Sequence, residues 1–95
     1  MKIYLVSYDL RTPGKDYTTL WTAIQGYVDC CRALASQWLI CADATAEEVR
    51  THLLGFIDKN DCLFVSEVNL NHAGRLDEPV VKWLRSALHR MYLQG

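Results

Sequence analysis

Ile3-Tyr4-Leu5-Val6 forms a nearly continuous apolar run close to the start of a 95-residue chain, and it restricts the fold more than any other feature. A strand with one face in water alternates apolar and polar residues, whereas an unbroken run reads as a central strand buried on both faces. The strand is expected over Lys2 to Leu10. It ends at Asp9-Leu10-Arg11, where Thr12-Pro13-Gly14-Lys15 supplies turn chemistry. A chain of this length has room for one hydrophobic core, so a single domain over residues 1–95 is expected, with a core over 1–70.

The rest of the chain punctuates itself clearly. Asp16 can cap a helix whose apolar positions Tyr17, Leu20, Trp21, Ile24, Tyr27 and Val28 fall at intervals of three and four, predicting a helix over about 17–27. Cys30 to Ala35 and Trp38 to Cys41 show no helical period and read as two strands joined by a tight turn at Ser36-Gln37. Thr45-Ala46-Glu47-Glu48 matches a capping box and opens a second helix over about 46–57, with Val49, Leu53, Phe56 and Ile57 on one face. Asp58-Lys59-Asn60-Asp61 breaks that helix, and Cys62 to Val68 is a further strand.

The order β-α-β-β-α-β predicts an α+β, ferredoxin-like domain: a four-stranded antiparallel sheet with both helices on one face. In that arrangement the first and last strands are expected to be linked only through intervening strands. Asp77-Glu78-Pro79 then signals an extra C-terminal helix over 78–92, with the acid as cap. Its apolar positions are Val80, Val81, Leu84, Leu88 and Met91; Lys82, Arg85, His89 and Arg90 occupy much of the remainder, and no acid follows Pro79. With two helices on one face, the other face of the sheet stays open. The tryptophans and the last helix are material to cover it, and a homodimer is expected.

The 51% hydrophobic and 22% charged composition excludes a disordered or low-complexity chain. Ten Lys and Arg against eleven Asp and Glu leave a formal charge of −1, which lacks the bulk positive field of a protein that coats duplex nucleic acid but permits a local basic patch. No signal peptide and no spanning segment can be read, so no membrane association and a cytoplasmic location are expected. In a reducing compartment Cys30, Cys31, Cys41 and Cys62 read as thiols rather than disulfides, and their spacing is not that of a zinc site.

Ser7, Tyr8, Asp9 and Arg11 cluster where the first strand emerges into the Pro-Gly loop, a common place for binding groups. Asp9 can serve structure, by pairing with Arg11 or Lys15, or it can serve as a ligand. One carboxylate holds a cation poorly, and a twofold axis could supply its mate from another subunit. His52 reads as a solvated or half-buried helix residue and His72 as a surface loop residue. Glu67 would join Asp9 only if the first and last strands were neighbours. Trp21, Trp38 and Trp83 read as core or interface.

The run Lys2 to Leu10, the loop Pro13-Gly14-Lys15-Asp16-Tyr17, the strand Ser36 to Ile40, and the stretches Thr45 to Arg50 and Asp58 to Asp61 together resemble the small SinR-type proteins. These are in turn similar to the VapD toxins and to the small structural subunit of the CRISPR adaptation integrase. The resemblance covers Met1 to Leu70. It implies a ferredoxin-like homodimer in which Asp9 faces its symmetry mate and shares a divalent ion, Mg or Mn. Some members of the superfamily are described as metal-dependent ribonucleases or nucleases, and the integrase subunit as a scaffold that holds DNA; that subunit ends in a further strand, where this chain has its basic helix.

Two readings of function follow. One is a dimeric protein that interacts with RNA or DNA, a metal-dependent nuclease with Asp9 as catalytic and metal-holding carboxylate, in which Arg11, Lys82, Arg85, His89 and Arg90 contact nucleic acid. The alternative is a non-catalytic protein-interaction or regulatory module of a defence or toxin-antitoxin system, meeting a protein partner through the C-terminal helix.

Overall fold

The computed structural model describes residues 1–93. Four strands, β1 (Lys2–Asp9), β2 (Asp29–Leu34), β3 (Gln37–Ala42) and β4 (Cys62–Val68), alternate with α1 (Thr18–Gln25) and α2 (Ala46–Leu54), and α3 (Glu78–Leu88) follows. The fold is α+β, with one antiparallel sheet in the order β2-β3-β1-β4. The last two residues of the chain lie outside the described residues.

Local chemistry sets the helix ends. The Asp16 carboxylate accepts the amide of Thr18 at 2.9 Å, but from one position before the cap: Tyr17 is the cap residue of α1 and makes no side-chain capping bond, which corrects the expectation that Asp16 caps the helix. α1 stops at Gly26 and α2 at Gly55, both short of the expected run because a glycine stabilises the helix interior poorly. Both bonds of the capping box at Thr45 and Glu48 are present, at 3.1 and 2.9 Å. Asp77 occupies the position before α3, yet its side chain makes no capping bond, which corrects the expectation drawn from the acid. A five-residue π-helical turn, His89–Leu93, continues from α3.

The sheet is buried on both faces, by different elements. On one face Tyr4, Val6, Trp38 and Ile40 pack with Leu20 and Ile24 of α1 and Val49 and Leu53 of α2. On the other, Ile3, Leu39, Cys41 and Ala33 pack with Val80, Leu84, Ala87 and Leu88 of α3. The continuous apolar run of β1 therefore serves two cores, and the face expected to stay open is largely covered by the chain itself. Burying one such leucine is worth about 1.5–3 kcal/mol. A second expectation is corrected as well: β1 pairs directly with β4 over its length, from Ile3 opposite Val68 to Asp9 opposite Cys62.

Two interactions tie α3 and the π-helical turn after it to the sheet edge. Trp83 Nε1 donates to Asp29 Oδ1 at 3.1 Å, and Arg90 lies 3.3 Å from Asp29 Oδ2. All four cysteines are free thiols, Cys41 buried and Cys62 exposed. Burial pushes the Cys41 thiol above its ordinary value.

Candidate functional site

The strand end carries one ion pair. Arg11 Nε donates to Asp9 Oδ2 at 2.9 Å, both side chains more than half exposed. That bond, first among several influences, raises the guanidinium above its usual value. Ser7 and Asp9 share a shallow depression with Cys62 and Phe64 on the α3 side of the sheet. The Phe64 ring is 67% exposed, because α3 packs nearer the opposite end of the strands.

What holds this end in shape is Asp61, a buried carboxylate. It accepts the amide of Arg11 at 2.7 Å, the amide of Asp58 at 2.8 Å and the Tyr17 hydroxyl at 2.9 Å. Burial acts to raise its proton affinity, and the three donors with the nearby Lys15 charge outweigh burial and hold the carboxyl below its ordinary value. Around it Lys15 Nζ meets Asp58 at 2.6 Å, which lowers Asp58 and raises Lys15, and the Thr12 hydroxyl meets Asn60 at 3.0 Å. The loop after β1 is thus fastened to the loop before β4, and Arg11 is presented to Asp9 by a fixed backbone.

The sequence pointed to Asp9 and Arg11 and the structure brings those two together. It does not bring Lys82, Arg85, His89 or Arg90 to them. Arg90 is held at Asp29, which lies in register with Cys41 and through it with Ile3, six residues from Asp9 along β1. Six residues of strand span about 20 Å. Lys82, Arg85 and His89 are exposed on α3 and its C-terminal end. Glu67 stands opposite Tyr4, well away from Cys62, the partner of Asp9, and is bonded by the Tyr92 hydroxyl at 3.3 Å. His52 is exposed and bonded to Tyr27; His72 meets the carbonyl of Asn69 at 2.8 Å.

Asp61 and Tyr17 were not singled out by sequence. In the sequence Tyr17 reads as one of the apolar positions of the first helix, and Asp61 as one of the residues that break the second. The available signal was an acid standing directly before an apolar strand, where a solvated turn residue is the ordinary reading.

Among the described residues no three His, Cys, Asp or Glu side chains converge so as to hold a metal ion. With one carboxylate already engaged by a guanidinium, a single chain does not fit the divalent ion that the resemblance implies. Among the described residues no helix is long and apolar enough to cross a membrane. No protein-family model matches the chain, and no solved structure matches it significantly.

Proposed function

We propose that this chain is a dimeric nucleic-acid-interacting protein of ferredoxin-like fold, related to the SinR-type and VapD proteins, that works in the cytoplasm. The β-α-β-β-α-β element order, the all-antiparallel four-stranded sheet and the helix pair on one face support the ferredoxin-like part of the reading. The observation that carries the function is the orientation of α3. Its apolar stripe is buried against its own sheet through Val80, Leu84 and Leu88, so that stripe is not open to a protein partner. What remains outward is Lys82, Arg85 and His89, in a segment without acids from Val80 to Leu93. Such a row suits phosphates.

Arg90 is occupied by Asp29 and contributes less. A formal charge of −1 on the chain makes the affinity modest and strongly salt-dependent. The nuclease reading is narrower: it requires Asp9 from two subunits to come together across an axis, since among the described residues no three His, Cys, Asp or Glu side chains of one chain form a metal-holding group.

Binding of single- and double-stranded RNA and DNA, measured by fluorescence anisotropy at several salt concentrations, tests the proposal. Replacing Lys82 and Arg85 by glutamine is expected to reduce the salt slope by about one for each phosphate left without its cation. No binding at low salt to any of the four would overturn it. Incubation of the same substrates with magnesium or manganese, beside Asp9→Asn, tests the nuclease reading separately: cleavage that survives Asp9→Asn removes Asp9 from the chemistry.

A further inference from the structure

On the side of the sheet away from α3, α1 and α2 flank a groove of about 510 Å³. That volume lies within the range of small-molecule sites, about 300–1,000 Å³. Its lining includes Thr18 and Thr22 of α1 and an aromatic wall of Tyr27, His52 and Phe56. The aromatic wall is organised. The Tyr27 hydroxyl and His52 Nδ1 are 2.7 Å apart, and the imidazole stands edge-on to both neighbours, at 5.5 Å and 72° from Tyr27 and 5.5 Å and 86° from Phe56. The Tyr27 contact uses Nδ1 and leaves Nε2 as the second polar atom of the ring. The Thr22 hydroxyl donates to the carbonyl of Thr18 and keeps its lone pairs as acceptors.

The chemistry of this lining selects its ligand. No Lys, Arg, Asp or Glu takes part, so a phosphate or carboxylate finds no partner charge and a cation no anion. A pure hydrocarbon would bury hydroxyls and an imidazole without partners, at a cost. A ligand that is a sugar alone, held by carboxylates, amides or guanidinium groups, finds none of these in the lining. We infer that the α1–α2 groove is a binding site for a neutral heteroaromatic ligand of nucleoside size, its ring lying against Tyr27, His52 and Phe56 and its polar edge meeting the threonine hydroxyls and the imidazole. Ring packing of this kind is favoured by the aromatic quadrupoles, and the polar edge fixes the orientation. The site is separate from the outward face of α3, and its test is independent of nucleic-acid binding there.

The full chain, isotope-labelled, is titrated with adenosine and with uridine while backbone amide shifts are followed, with benzoate and glucose as controls. Saturating shifts at Thr22, Tyr27, His52 and Phe56 with a nucleoside, absent with both controls, are expected. Thr22 is an exposed helix position, so Thr22→Tyr places a ring into the groove and is expected to abolish saturation; His52→Ala is expected to weaken binding by about tenfold or more. The inference is overturned by an absence of saturating shifts up to about 10 mM nucleoside. It is overturned equally by shifts that cluster elsewhere, by benzoate or glucose binding as well as the nucleosides, or by unchanged affinity in both folded variants.

Discussion

Asp61 accepts the backbone amide of Arg11 at 2.7 Å across a separation of fifty residues, and through that bond the loop after β1 and the loop before β4 become one unit. The same carboxylate takes the Tyr17 hydroxyl and the Asp58 amide. Asp61→Ala removes the acceptor of two amides and a phenol together, and buried donors left unmet are costly. The melting temperature is expected to fall by about 5–15 °C. Asp61→Asn, which keeps an accepting oxygen, is expected to fall less. Circular-dichroism melts decide; an unchanged melt in the alanine variant would show that the loops hold without this carboxylate.

Acid should loosen the same unit. Asp58 and Asp61 both hold their protons less tightly than ordinary carboxyls, Asp58 chiefly through Lys15 and Asp61 through its three donors against the opposing pull of burial. A carboxyl with a lowered native value contributes stability that is fully present above the unfolded value, about 3.9, and is lost as the pH falls through the native one. Melting temperatures are expected to be flat from pH 7 to about 5 and to drop below about 4, with a shallower drop in Asp61→Asn. Equal slopes in the two proteins would sink this account.

The contact between α3 and the sheet separates packing from polar clamping. Leu84 is 8% exposed and sits among Ile3, Leu39 and Cys41, so Leu84→Ala should cost about 2–5 kcal/mol. Asp29→Ala removes the partner of Trp83 Nε1 and of Arg90 from a partly exposed position, and about 1–2 kcal/mol is expected. Urea titrations followed by tryptophan fluorescence give both values. If Asp29→Ala proved the more damaging, the helix would be held by its clamp rather than its stripe.

The legible parts of this fold were those decided by neighbours in sequence. The capping box at Thr45 and Glu48 is a four-residue device and formed as read. The amphipathic stripe of α3 was equally plain, but a stripe does not say which surface it meets, and here it meets the second face of its own sheet. The pairing of β1 with β4 is a matter of topology; local patterns in Lys2–Asp9 and Cys62–Val68 are compatible with several strand orders. The Asp61 hub was invisible for a similar reason, since its partners Arg11 and Tyr17 lie far off in sequence and each has an ordinary local role.

The proposed homodimer is expected to form at β4. α3 packs over Ile3 and Cys41 and leaves Phe64 of β4 67% exposed, and β4 is an edge strand with β1 as its single neighbour. An exposed aromatic on an open strand edge is material for pairing with another chain. Phe64 stands opposite Ser7 and Asp9 opposite Cys62, so two copies meeting there would bring their Asp9 carboxylates near the same axis. Light scattering at micromolar concentration is expected to give a dimer mass for the native chain and a monomer mass for Phe64→Glu, which sets a charge on each side of the contact. Leu54→Glu is the control: Leu54 is 45% exposed on α2, on the opposite side of the sheet, and the dimer should persist. A native chain that is monomeric, or a Phe64→Glu variant that stays dimeric while Leu54→Glu falls apart, would move the contact away from β4 and leave the two Asp9 side chains with no route to a shared site.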